Sequence, residues 1–285
     1  MDKAKISQSE AKMKRLFISA LLLASVMILP GCIEIYTTIN LNPDGTGTVE
    51  KNLMMSREAI MMISSFFPNP DTTKKFDLFD EDKFRKDALD MGDHVKYVSG
   101  KRQSAKDKEG YVITYAFTDI DKVRIGQNPA HILRPPDMPA MEKDTTDDGE
   151  EYISFDLKRD DPSTLTIKLP SEEFQESEKK QLESAVDTMQ IDTQMEKKIK
   201  QMVSQMRMAF VVNVPGTITQ TNAQYHEGSK ITLAEIDFGK LIEDPRNYKR
   251  FMAMKDKPFS EAKKFLRTIP GIKIELNEKV EVKFK

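Results

Sequence analysis

The most regular pattern in the chain is an alternation of hydrophobic and polar positions. Ile33–Leu41 alternates and is rich in residues that favour strands, and Thr46–Leu53 alternates again. Between them, Asn42–Gly45 has the composition of a tight turn. Together these segments predict a β-hairpin.

A helix and several shorter segments follow the hairpin. Ser56 is a favourable N-cap residue and predicts a helix over residues 57–67. Later strands are predicted at 95–99, 111–117, 152–157, 164–169, 209–214, 217–220, 230–236, 272–276 and 280–284, and a polar loop at 101–109. Later helices are predicted at 80–91, 238–242, 245–254 and 260–268.

Helical spacing is most sustained at residues 172–208. Leu182, Val186 and Met189 recur at helical spacing, and after a polar interruption Met195, Ile199, Met202 and Met206 do so again. This segment predicts two helices, or one long helix with a sharp break. With the hairpins it gives an α+β fold of antiparallel sheets packed against several helices.

Composition divides the chain into four parts. Residues 127–150 are rich in proline and then in acidic residues, which predicts a loop. The predicted parts are therefore a signal peptide at 1–31, an α+β region at 32–126, this loop, and a second α+β region at 151–285. The two α+β regions form either two domains or one.

The first 31 residues have a different pattern from the rest. Five basic residues precede Leu16–Leu29, a run of 14 residues without a charge. A membrane-spanning helix needs about 20 apolar residues, so this run is short for a permanent span. It has the length of the hydrophobic part of a secretory signal.

The run ends at Leu29-Pro30-Gly31-Cys32, which resembles the lipobox of bacterial lipoproteins. The resemblance implies cleavage after Gly31 and acylation of Cys32, with palmitate among the acyl groups, so that lipid attaches the protein to the cell envelope. Ile33, rather than aspartate, follows the cysteine. By resemblance to sorting in enteric bacteria, this favours the outer membrane in a Gram-negative host. The alternative is a buried cysteine after an uncleaved anchor.

Charge and composition restrict the function further. The 285 residues include 44 basic and 46 acidic residues, and 39% are hydrophobic, which excludes a polytopic membrane protein and gives no basic field for nucleic acid. The single cysteine excludes a disulfide framework and a cysteine-type zinc site. Cleavage after Gly31 leaves 39 basic and 44 acidic residues, so lipid and not charge would hold the protein on a membrane.

A family resemblance rests on several short motifs. The cysteine is followed at once by a strand, then by Asn-Pro-Asp-Gly-Thr-Gly-Thr-Val at 42–49, and later by Asn213-Val-Pro-Gly-Thr-Ile218 with Asn222. These features resemble uncharacterised bacterial lipoproteins with an LppM-like domain, over about 33–120 and 209–238. The resemblance implies an envelope domain without assigned catalysis, and it supplies no functional residues.

The chain offers little chemistry for catalysis or metal binding. His94, His131 and His226 have no ligand-type spacing, and no phosphate-binding, dinucleotide-binding or nucleophile-elbow motif occurs. The segment from Asn40 to Gly45 resembles the start of a calcium loop, but the position of its bidentate glutamate holds Lys51. We therefore expect no cofactor, no metal and no enzyme activity, with a carboxylate-based hydrolase as the least favoured alternative.

Two apolar clusters remain as candidate contact surfaces. The first lies in the predicted helix after Ser56 and comprises Ile60, Ile63, Phe66 and Phe67. The second is the methionine stripe of the segment 172–208 and comprises Met195, Met202 and Met206. Core packing is the alternative interpretation of both. The sequence predicts a non-catalytic role in binding or assembling an envelope partner protein, with a lipid or glycolipid ligand in an apolar cavity as the alternative.

Overall fold

The computed structural model describes residues 32–66, 77–126, 152–170, 197, 201, 204–254 and 257–285, without the side chains of residues 65, 66, 252 and 259. The predicted loop at 127–150 and nearly all of the predicted helix at 172–208 lie outside these residues. The chain separates into two units, Met1–Gly31 and Cys32–Lys285. Everything described below belongs to the second unit.

Alternating burial along the strands produces two sheets with a common core. The strands are β1 Ile33–Leu41, β2 Gly47–Ser56, β3 Val95–Ser104, β4 Lys108–Phe117, β5 Arg124–Gly126, β6 Tyr152–Lys158, β7 Ser163–Lys168, β8 Met206–Asn213, β9 Ile218–Thr221, β10 His226–Glu227, β11 Lys230–Asp237, β12 Lys273–Ile274 and β13 Lys279–Phe284. Among the described residues, one sheet has the order β10-β11-β8-β1-β2-β4-β3 with β12 on β11, and the other has the order β5-β6-β7-β13-β9. The mixed α+β class is thus confirmed.

The predicted hairpin after Cys32 is present. Ile33, Ile35 and Ile39 of β1 are buried, and the residues between them are half-buried or exposed. The turn is closed by Gly45, whose φ of 86° suits glycine, and by the backbone N–H of that residue, which donates to the Asn42 carbonyl at 3.0 Å. The segment that resembles a calcium loop is therefore a hairpin turn.

The prediction of purely antiparallel sheets is wrong at one pair of strands. β1 runs parallel to β8, with Ile33 opposite Met206 and Asn40 opposite Asn213. Parallel neighbours require a long crossover, and no local pattern in the sequence identifies the partner strand. This pair places strands from both predicted α+β regions in one sheet.

Five α-helices occur in the described residues: α1 Arg57–Phe66, α2 Glu81–Asp90, α3 Phe238–Glu243, α4 Pro245–Met252 and α5 Phe259–Leu266. The first two pack on the main core that the two sheets share. The last three surround a smaller core that includes Leu241, Phe265 and Ile269. None of the helices in the described ranges has the length and hydrophobicity needed to cross a bilayer.

Two other predicted boundaries are corrected. The predicted polar loop at 101–109 is mostly strand, because β3 and β4 extend to within three residues of each other. Residues 206–208 continue β8 instead of ending the long helix, so Met206 is not part of a helical stripe. In both cases cross-strand hydrogen bonding overrides a locally polar or helical composition.

Candidate functional site

Cys32 lies at one end of the eight-stranded sheet, directly before β1. Its side chain is half-buried, and its thiol donates a hydrogen bond to Gln205 Oε1 at 2.7 Å. Its carbonyl accepts a hydrogen bond from Ser56 N at 2.6 Å. Cys32 is therefore fixed against the residues before α1 and before β8.

No linker separates Cys32 from the folded body. β1 begins at the next residue, Ile33, whose side chain is 1% exposed. That residue pairs with Met55 of β2 and with Met206 of β8. A lipid attached to Cys32 would therefore hold this end of the sheet close to the membrane surface.

The start of α1 and the loop between β3 and β4 lie at the same end. Ser56 Oγ accepts the Ala59 N–H at 3.1 Å and so caps α1. The Arg57 N–H donates to the Asp107 carbonyl at 3.0 Å, and its guanidinium pairs with Glu109 at 3.2 Å. We call Cys32, the first turn of α1 and residues 105–107 the Cys32 end of the sheet.

A row of alternating charges crosses the sheet near this end. Lys108 Nζ donates to Glu34 Oε1 at 2.6 Å, with side chains 7% and 21% exposed. Arg207 pairs with Asp237 at 3.0 Å, and Glu34 lies opposite Arg207 in the sheet. The row contains two positive and two negative groups, so it stabilises the strands without a net charge that would bind an ion.

Tyr36 lies beside this row. Burial, reinforced by the negative charge of Glu34, raises the pKa of the Tyr36 phenol above its usual value. The phenol stays protonated at neutral pH, which gives no activated nucleophile at this position.

An open cleft of about 210 Å³ lies between α1, β3 and β4. Ile60, Phe79 and Tyr111 contribute to its apolar lining, and its charged groups are Asp77, Arg102 and Glu109. The Arg102 guanidinium donates two hydrogen bonds to Asp77, at 2.8 and 2.7 Å, and stacks over the Phe79 ring at 4.5 Å. Glu109 pairs with Arg57, so each charged group that lines the cleft in the described residues has an ion-pair partner.

Within the described ranges, no cluster of His, Cys, Asp and Glu side chains is arranged to hold a metal ion. His94 Nδ1 lies 3.2 Å from Thr118 Oγ1 in an exposed loop, and His226 is in the exposed two-residue strand β10. His131 lies outside the described residues. These placements give no geometry for histidine-based chemistry.

The structure places the predicted apolar contact residues in different environments. Ile63 is 6% exposed and belongs to the core, so it is not part of an exposed surface. Ile60 and Met206 are half-buried and pack against that core, the latter from β8 and not from a helix. Outside the described residues lie Leu29, Pro30, Gly31, Phe67, Met195 and Met202, and the side chain of Phe66.

Two residues of this region are absent from the sequence-based candidates. Met61 has a side chain that is 65% exposed, although it lies in the same apolar run as Ile63. Lys108 is buried, although the sequence placed it in a polar loop. The alternation Tyr111, Ile113, Tyr115 marks β4 but gives no signal for its start, so the burial of Lys108 is visible only in the fold.

Comparisons with known proteins add little. No protein-family profile matches the chain, and no curated protein matches it. Among solved structures, the chain is weakly similar to the NMR structure of the folded domain of LppM from Mycobacterium tuberculosis, with 9% identity over 91% of this chain and 94% of that one and a TM-score of 0.31. A TM-score this low carries no argument about fold or function, and the resemblance noted in the sequence remains a resemblance.

Proposed function

We propose that the mature protein, 254 residues beginning at Cys32, is a lipid-anchored protein of the bacterial cell envelope with a non-catalytic role in binding or assembling a partner protein. Acyl chains on Cys32 attach it to the membrane, and two or more such chains are sufficient for a stable attachment. The residue after Cys32 favours the outer membrane in a Gram-negative host. The net charge of −5 gives no attraction to anionic lipids.

One observation carries the anchor. The folded unit begins at Cys32, and the division from the preceding unit falls between Gly31 and Cys32. This is the bond at which the lipobox predicts cleavage. Removing residues 1–31 would therefore leave β1 and its two neighbours intact.

The binding half of the proposal is supported by the edges of the large sheet. Among the described residues, β3 is an edge strand of ten residues, whereas β10 at the opposite edge has two residues. A long edge strand presents unpaired backbone groups to which an extended segment of a partner can add. Exposed Lys96 and Lys101 and a bulge near Val98 restrict that pairing to a partner of suitable charge and shape.

No observation in the described part of the chain favours the alternative of a lipid or glycolipid ligand in an apolar cavity. The cleft beside α1 is open and has a charged rim.

Intact mass of the membrane-extracted protein tests the anchor. We expect a mature chain that begins at Cys32 and carries acyl groups, and an unprocessed chain for Cys32→Ala. An unmodified full-length wild-type mass would overturn the anchor.

A photo-crosslinking amino acid in place of Val98, which is 57% exposed, tests whether a partner protein binds at the edge of β3. We expect one discrete crosslinked species in membranes, and none from the matched position Leu89, which is 67% exposed on α2. The same products from both positions, or none from Val98, would contradict binding at the edge of β3.

A further inference from the structure

We propose that α1 lies against the bilayer to which Cys32 is attached, with Met61 at the boundary between headgroups and acyl chains. The inference rests on the proposed lipid attachment and names the surface of the protein that meets the membrane. Helices that lie in this plane bury their apolar side about 5–10 Å into the boundary between headgroups and acyl chains.

The first argument is the absence of a tether between the anchor and the fold. Cys32 is followed at once by β1 and is bonded through its carbonyl to Ser56 N at 2.6 Å. A flexible linker would let the body move away from the membrane. Here the lipid attachment point and the start of α1 are separated by one hydrogen bond.

The second argument is the position of Met61. It lies five residues beyond Ser56, which is about 7.5 Å of helical rise. The Arg57 N–H bonds to the Asp107 carbonyl at 3.0 Å, so the first turn of the helix is fixed at the Cys32 end. Met61 therefore lies in the second turn of a helix that begins at the Cys32 end.

The third argument is the surface that α1 presents. Its only charged residues are Arg57 and Glu58, both in the first turn. Ala59 and Ile63 are buried in the core, whereas Met61 is 65% exposed. Met61 is one of three large hydrophobic side chains that are exposed in the described residues, the others being Leu89 and Val98.

The charges around α1 favour an apolar contact over binding to anionic headgroups. Exposed charged residues at the Cys32 end and in the adjoining start of β4 have both signs and comprise Arg57, Glu58, Lys106, Asp107 and Glu109. Arg57 is already paired with Glu109 at 3.2 Å. The contact should therefore depend little on the fraction of anionic lipid.

The experiment uses the fact that the chain has a single cysteine. In the lipidated protein Cys32 is blocked, so Met61→Cys introduces the only free thiol, which takes an environment-sensitive fluorophore. Leu89→Cys is the matched control, because Leu89 is 67% exposed on a helix of equal length.

The control position lies near the opposite end of the sheet. The Gly92 N–H bonds to the Leu89 carbonyl and the Val95 N–H to the Gly92 carbonyl. Val95 of β3 pairs with Phe117 of β4, and Phe117 pairs with Gly47 of β2. Gly47 in turn pairs with Leu41, the last residue of β1, so Leu89 lies near the end of the sheet that is far from Cys32. The eight residue steps from Ile33 to Leu41 span about 26 Å.

Both labelled proteins are reconstituted in vesicles of phosphatidylethanolamine with or without phosphatidylglycerol. At position 61 we expect strong quenching by a spin-labelled lipid and weak quenching by iodide in water, and at position 89 the reverse. The ratio of lipid to iodide quenching should be several-fold higher at 61, with or without phosphatidylglycerol.

Three results would overturn the inference. Equal iodide quenching at both positions would place α1 in water, and protection of position 61 from both quenchers would indicate a covering protein. A contact present only with phosphatidylglycerol would contradict its apolar basis. Intact mass measured on the same samples distinguishes this inference from the proposed lipid anchor. An acylated protein with a water-exposed label at position 61 overturns only the position of α1. An unacylated protein overturns both the anchor and the position of α1.

Discussion

The two helices that pack on the main core have equal length and opposite surfaces. α1 and α2 each contain ten residues, and each buries one alanine and one larger apolar side chain in the core. Two of the ten residues of α1 are charged, compared with seven of the ten in α2. The cap of α2 is an aspartate that accepts two backbone N–H groups, whereas the cap of α1 is a serine that accepts one.

This difference indicates which helix is built to face water. Charges along the outer side of α2, including an Arg85–Glu81 pair at 3.5 Å, are typical of a solvated helix. α1 has its charges only where it begins, beside Cys32. Burial against the core is similar in both helices, so the contrast lies on their outward surfaces.

The largest expected effect concerns the inward side of α2. Phe84 is 1% exposed, and its ring centroid lies 5.0 Å from that of Tyr111 and 5.3 Å from that of Phe79. Phe84→Ala should lower the free energy of unfolding of the mature chain by about 4 kcal/mol, because it removes contacts and leaves a cavity. Urea denaturation measures this. Lys86→Ala on the exposed side of the same helix is the control, and equal effects of the two variants would contradict the packing.

The next effect concerns the strand beside the start of α1. Lys108 pairs with Ser56 in the sheet and with Glu34 through its ammonium group. Lys108→Ala should cost about 3 kcal/mol, because it leaves a largely buried carboxylate without its partner. The double variant Lys108→Met with Glu34→Leu should recover most of this stability. If the double variant were as unstable as the single one, the ion pair would not be the cause.

Removing the N-cap of either helix should lower the free energy of unfolding by a smaller amount. Asp80→Ala and Ser56→Ala should each cost about 1 kcal/mol, with the larger loss for Asp80, which accepts from both Asp82 N and Lys83 N. Hydrogen exchange in the first turn of each helix measures the effect. A larger loss for Ser56→Ala would reverse the comparison.

The smallest effect is a pH dependence of stability at the cleft between α1, β3 and β4. The hydrogen bonds from Arg102 lower the pKa of the Asp77 carboxyl in the folded protein. A lowered folded-state pKa gives stability that is present above the unfolded value, near pH 4, and lost as the pH falls through the folded value. Both side chains are at least half exposed, so the loss should be below about 1 kcal/mol.

Acid denaturation of the wild type and Asp77→Asn measures this dependence. We expect the difference in stability between them to be largest at neutral pH and to shrink below about pH 4. A difference that stays constant with pH would show that the Arg102–Asp77 pair contributes nothing through its charge.

Local patterns predicted most of the secondary structure. The hairpin after Cys32, the helices after Ser56 and Asp80, and the strand pair around residues 159–163 appear where alternation, caps and turn residues placed them. These features depend on neighbours within a few residues, which a sequence displays directly. The same reasoning missed the extensions of β3 and β4, because a polar strand end is recognised only by its partner strand.

Buried polar groups were beyond the reach of the sequence. Glu275 is 1% exposed and accepts backbone N–H groups from Gln224, Leu276 and Asn277 at 2.8–2.9 Å. Nothing around it in the sequence distinguishes it from a surface glutamate. A buried carboxylate needs hydrogen-bond donors, and one of these three, Gln224 N, comes from a segment 51 residues away that only the fold brings close.

The sequence by itself determined the α+β class, the order of most elements, and the prediction of a lipid attachment site at Cys32, since each depends on adjacent residues. The tertiary structure decided that β8 runs parallel to β1, that Ile63 faces the core while Met61 faces outward, and that Cys32 and the start of α1 share one end of the sheet. The physical reason is that burial and pairing join segments as far apart as residues 32 and 205, and no local pattern of hydrophobicity records which segments meet.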